Sequence, residues 1–99
     1  MPEKFLILGA SSFYGRNFAQ YVRQRGDDAI VLSRPDWYIG DDLPHEPAKY
    51  IVNFVSKSLV PESWSDPVGW LTTNTVLFTQ LLEDVRARAH VARFIHVST

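Results

Sequence analysis

Phe5-Leu6-Ile7-Leu8-Gly9-Ala10-Ser11-Ser12-Phe13-Tyr14-Gly15 is the stretch that decides the fold. Four consecutive apolar residues that run into a glycine read as a strand buried on both faces, as strands of a parallel sheet are. A turn of small residues follows. From about Tyr14 to Arg25 the pattern is helical, with Phe18, Ala19 and Val22 on one face and Gly26 just past a basic end. Gly9 permits the tight turn, and Gly15 lets the helix pack close to the strand. Backbone N–H groups at the helix N-terminus between them suit a pyrophosphate.

Outward from this turn the same alternation continues. Ala29 to Leu32 is a second apolar strand, Tyr50 to Val55 another, and Arg93 to Ser98 the last. Within the polar, Pro-containing stretch Pro35 to Pro47, Trp37-Tyr38-Ile39 is expected to form a short third strand. Asp66-Pro67 reads as an N-cap followed by Pro at the first helical position. Trp70, Leu71, Leu77, Phe78, Leu81, Leu82 and Val85 then mark an amphipathic helix to about Ala89. Strands alternating with helices imply an α/β fold: a parallel sheet joined by right-handed crossovers, with helices on both faces.

A chain of 99 residues forms at most one small domain. Its 45% hydrophobic and 21% charged residues are ordinary for a globular protein, and a net charge of −1 points to neither nucleic acid nor an anionic membrane. With no cysteine there is no disulfide framework and no thiolate metal site. His45, His90 and His96 lack metal-ligand spacing and are assigned structural or surface roles, so no metal is expected. No apolar run approaches the roughly 18 residues of a membrane span, and Phe5 to Leu8 is too short for a signal peptide. The chain reads as cytoplasmic.

The glycine turn resembles that of the extended short-chain dehydrogenases, the NAD-dependent epimerase/dehydratase type, whose Rossmann fingerprint Gly-x-x-Gly-x-x-Gly maps onto Gly9, Ser12 and Gly15. Ser12 departs from it: its side chain crowds the closest approach of backbone to phosphate, and its hydroxyl can donate a hydrogen bond in return. Ser11, Phe13 and Tyr14 complete the turn. Further stretches are similar to the family in the same order. Asn53 to Ser58 resembles the strand-end segment, where the backbone of Phe54, Val55 and Ser56 lies against the nicotinamide side of the cofactor. Pro61 to Pro67 resembles the substrate-side loop. Asn74 falls where the family keeps a helix asparagine near the active site, and reads equally as a helix-packing amide. Arg93 to Thr99 resembles the strand ending in the catalytic hydroxyl, which makes Thr99 the candidate catalytic residue. Trp64 and Trp70 read as core or interface aromatics, and Lys57 as a solvated charge.

NAD-preferring Rossmann domains place an acid at the end of the second strand, on the ribose 2′-OH. Here that strand ends Leu32-Ser33-Arg34, and an arginine there suits a 2′-phosphate, which it can grip through two parallel hydrogen bonds. The expected cofactor is therefore NADP, with NAD second. Arg16 either adds a second positive charge or is simply exposed. Asp41 and Asp42 offer two registers for the family's Gly-Asp element at the adenine, and either also reads as a turn carboxylate.

The resemblance implies chemistry by a Tyr-x-x-x-Lys pair, yet none of Tyr14, Tyr21, Tyr38 and Tyr50 has a lysine four residues on. The stretch between the second strand and Tyr50 is short for the family, which fits a third strand there as well as a crossover that alone needs at least about 10–12 residues with its helix. The third strand or the helix after it is therefore expected to be reduced or lost. The chain is expected to be one dinucleotide-binding portion, residues 1 to 99, cut off after the strand ending at Thr99. In a longer parent it would serve a sugar-nucleotide 4,6-dehydratase or epimerase, with a nucleotide sugar as substrate and a homo-oligomeric assembly. The alternative is a non-catalytic NADP-binding sensor.

Overall fold

A computed structural model of the chain describes residues 2–10, 13–55, 64–88 and 90–97. The buried run ending at Gly9 forms β1 (Lys4–Leu8), followed by α1 (Phe13–Gln24) and β2 (Asp28–Leu32). Next come β3 (Tyr50–Asn53), a helical region and β4 (Arg93–His96). That helical region has three parts: α2 (Pro67–Leu71), a π-helical turn (Thr72–Leu77) and α3 (Phe78–Arg86). The four strands are all parallel and lie in the order β2-β1-β3-β4. This is the expected Rossmann-type sheet.

Alternation along β1 divides the core. Ile7 faces α1, where Ala19 and Val22 meet it and Phe5, Phe18 and Phe54 pack alongside. Leu6 and Leu8 face the other way, and with Ile51 they meet Trp37, Ile39, Leu43, Ala48, Leu81 and Val85. α1 stops as its sequence dictates. Gly26 takes φ +88°, its N–H donates to the Arg23 carbonyl, and the Asp27 N–H donates to the Val22 carbonyl. These two bonds satisfy carbonyls that the last turn would leave bare. At the other end of the sheet Lys49 reaches Glu3 at 3.3 Å, and that bond holds its ammonium protonated above the ordinary lysine range, with the Glu3 charge and Tyr50 adding to it.

Trp37-Tyr38-Ile39 is not a strand. Residues 33–49 carry neither helix nor ladder, only an isolated bridge between Ile39 and Asp41, so the expected loss of the crossover holds for its strand and helix alike. The backbone finds its partners locally instead. Trp37 N–H donates to the Ser33 carbonyl (3.0 Å), Tyr38 N–H to Asp41 Oδ2 (2.8 Å) and Asp41 N–H to the Tyr38 carbonyl (2.9 Å). Two of the three N–H groups of Trp37-Tyr38-Ile39 are thus taken up locally and not by a neighbouring strand. Trp37 and Ile39 are buried, and Tyr38 between them faces out.

The second helix begins as expected, with Asp66 accepting from the Gly69 N–H and Pro67 at the first position. It ends at Arg86, short of Ala89, which lies outside the described residues. Beyond it Arg88 turns back: Nε bonds Asp84 at 3.2 Å, and the two terminal nitrogens donate to the carbonyls of Pro44 (2.6 Å) and Leu43 (3.1 Å). Trp64 is 83% exposed and belongs to no core, whereas Trp70 is half-buried. Among the described residues no helix is long and apolar enough to cross a membrane.

Candidate dinucleotide-binding site

From β1 the chain moves to β2 on one side, then crosses to β3 on the other. Between β1 and β3 the winding therefore reverses, and the crevice beyond the carboxyl ends of these strands is where such sheets take their ligands. Gly9 stands at that point with φ +79°, its N–H on the Leu32 carbonyl at 2.8 Å. A Cβ added there would lie 2.9 Å from Val55 Cγ2, 3.1 Å from Val55 N and 3.2 Å from the Phe54 carbonyl carbon. The glycine turn and the Phe54-Val55 strand end, read separately from the sequence, are thus brought into contact.

Asn53 holds that strand end in place. It is fully buried; its Oδ1 accepts from the Val55 N–H at 3.0 Å, and its Nδ2 donates to the Val55 carbonyl at 3.3 Å and to His96 Nδ1 at 3.1 Å. The last contact needs His96 Nδ1 unprotonated, and the ring is backed by Phe78, 4.3 Å between centroids. A buried amide with three partners is a satisfied one. From the sequence Asn53 was placed only at the start of the strand-end segment, and its side chain was not singled out.

At the start of α1 the first turn carries no acidic residue, so no side chain of that turn offsets the positive end of the helix dipole. Gly15 is buried there, and Arg16 is exposed. Phe13 and Tyr14, 66% and 70% exposed, meet edge to face at 5.4 Å. Beside them a groove of about 590 Å³ runs between α1 and β2, lined by Ala10, Ala19 and Val31 with Arg16, Gln20, Arg23 and Gln24 along its rim.

Beyond β2, Ser33 offers its carbonyl to the N–H groups of Asp36 and Trp37. Arg34 is exposed, its guanidinium 5.1 Å from the centre of the Tyr38 ring, and it has no ion-pair partner among the described residues. No carboxylate follows the strand at Ser33 or Arg34. Asp41 closes the turn onto Tyr38, and with Asp42 it borders a separate cavity of about 240 Å³ against Gln80, Leu81 and Asp84. Asn74 sits half-buried in the π-helical turn. Ser11, Ser12, Ser56, Lys57 and Thr99 lie outside the described residues. A positive-φ glycine turn, an acid-free helix start and a cation at the end of β2 together fit a phosphorylated dinucleotide.

The profile of the NAD dependent epimerase/dehydratase family matches residues 5–99. The chain belongs to that family. Within it, the chain is similar to GDP-6-deoxy-D-mannose reductase of Pseudomonas aeruginosa, with 24% identity over 100% of this chain and 34% of the relative. It is also similar to the low-salt glycan biosynthesis protein Agl12 of Haloferax volcanii, 29% identical over 95% of this chain and 38% of the relative. The solved structure of RMD from Pseudomonas aeruginosa complexed with NADPH matches with a TM-score of 0.78 at 24% identity, covering 100% of this chain and 35% of that one. The chain thus spans little more than a third of these epimerase/dehydratase relatives, and the structural match confirms the Rossmann-type fold.

Proposed function

We propose that these residues are the NADP-binding portion of an enzyme that acts on a nucleotide sugar, as a 4,6-dehydratase, an epimerase or a reductase. Arg34 carries the reading: a guanidinium with no carboxylate partner among the described residues stands at the carboxyl end of β2, where an NAD-binding domain has an acid. The relatives support it, one by a name that includes a GDP-linked deoxysugar and one by its NADPH complex. The turn Gly9 to Gly15, with Ser11 and Ser12, would hold the pyrophosphate. Ser33, Arg34 and Arg16 would hold the 2′-phosphate, Asp41 or Asp42 would stand toward the adenine, and Phe54, Val55 and Ser56 would flank the nicotinamide. Asn74 and Thr99 would face the sugar. When bound, the nicotinamide supplies a hydride acceptor and donor.

Calorimetric titration tests this. The polypeptide is expected to bind NADPH more tightly than NADH, and equal affinities would overturn the NADP assignment. None of its four tyrosines is followed by a lysine at the fourth position, so the 99-residue polypeptide is expected not to turn over a sugar nucleotide. A rate that survives re-purification and disappears in Thr99→Ala would contradict that.

A further inference from the structure

We propose that Tyr38 sets the preference for the 2′-phosphorylated dinucleotide, by holding the Arg34 guanidinium over the face of its ring at the end of β2. This rests on the NADP reading above and adds a residue to it. Tyr38 is no passive neighbour. Trp37 and Ile39, 5% and 8% exposed, anchor the chain on either side of it, so that Tyr38 is turned outward, 47% exposed. The reciprocal bonds between Tyr38 and Asp41, 2.8 Å from the Tyr38 N–H and 2.9 Å to its carbonyl, close the turn beneath the ring. The backbone that carries the ring is thereby held, and the Arg34 guanidinium carbon lies over the ring, 5.1 Å from its centre.

A free arginine must surrender the freedom of a long side chain when it grips an anion. One already laid on an aromatic face loses less, keeps its positive charge, and leaves its N–H edge and outer face open. The edge is the part that pairs with a phosphate through two parallel bonds. No acidic side chain among the described residues competes for it. Asp41, an adenine candidate on sequence grounds, has its carboxylate committed to the turn that supports the ring.

The test measures dissociation constants for NADPH and NADH by calorimetry on the parent chain, Tyr38→Leu, Tyr38→Phe and Arg34→Asp. Tyr38→Leu is expected to weaken NADPH about two- to fivefold, the range of an exposed cation–π contact, and to leave NADH unchanged. Tyr38→Phe, which keeps the π face, should hold the parental ratio. An unchanged ratio in Tyr38→Leu, or an equal loss for both dinucleotides, overturns the proposal, the second outcome marking a merely structural role. If Arg34→Asp reverses the preference while Tyr38→Leu does nothing, only the platform is wrong. If Arg34→Asp leaves the ratio untouched, the NADP reading falls and the platform with it.

Discussion

Gly9 and Gly26 both sit at positive φ, +79° and +88°, but they bear different loads. At Gly26 nothing lies within 4 Å of a would-be Cβ, so alanine there carries only the left-handed backbone strain, about 1–2 kcal/mol. At Gly9 the same strain adds to a clash with Val55 and with the Phe54 carbonyl carbon, and backbone cannot step aside as a side-chain tip can. Gly9→Ala is therefore expected to lose more stability than Gly26→Ala, by at least about 1 kcal/mol in urea titration, and to lose dinucleotide binding besides. Equal losses would mean that the turn and the strand end do not touch. Arg34→Asp removes a phosphate partner and supplies a ribose acceptor, so the order of NADPH and NADH should invert. Most of these residues were legible because each carries a local signature: a glycine after an apolar run, a cation where an acid belongs. Tyr38 was not. Its only signal is an aromatic four residues after an arginine, which gains meaning once the turn around it is known.

The segment between β2 and β3 shows why whole elements are harder to read than residues. Trp37-Tyr38-Ile39 alternates in, out, in, and any extended segment laid on a core does so whether or not a neighbouring strand pairs with it. Pairing is decided by where the N–H groups go, and here Ser33 and Asp41 take those of Trp37 and Tyr38. The strands of the sheet were legible to within a residue or two because their apolar runs are continuous. The π-helical turn was not, since Thr72-Thr73-Asn74-Thr75 has no apolar period to measure. Polar bonds add to the apolar cluster that joins the segment to α3. Arg88, its side chain 13% exposed, bonds Asp84 and the carbonyls of Leu43 and Pro44, while the Leu43 N–H donates to Asp84 Oδ2 at 3.2 Å. Arg88→Ala leaves these partly buried groups without their donor and is expected to cost about 1.5–3 kcal/mol in chemical denaturation. A loss below half a kcal/mol would show that water replaces the guanidinium freely.

At the scale of the molecule the described sheet has two outer strands, β2 and β4. On β4 Phe94 packs toward Phe78, while Ile95 and, just beyond it, Val97 are 41% and 37% exposed. An apolar strand with one unpaired side is a template for another chain. The 99-residue polypeptide is expected to self-associate, and NADPH at a hundred times its dissociation constant should stabilise it by about 2.7 kcal/mol through mass action. A monomer by light scattering at high concentration, with a sharp melt unaffected by NADPH, would refute both. Residues 33–49 lie across the face of β1 opposite α1, and Trp37 is buried there in one cluster with Leu6 and Leu8 of β1 and Leu81 and Val85 of α3. Contacts so far apart in sequence are expected to form late in refolding. The burial of Trp37 is therefore expected to report on those late contacts. Its indole emission should shift late, in the phase that completes the sheet, while Trp64, 83% exposed in the finished fold, contributes almost no change in any phase.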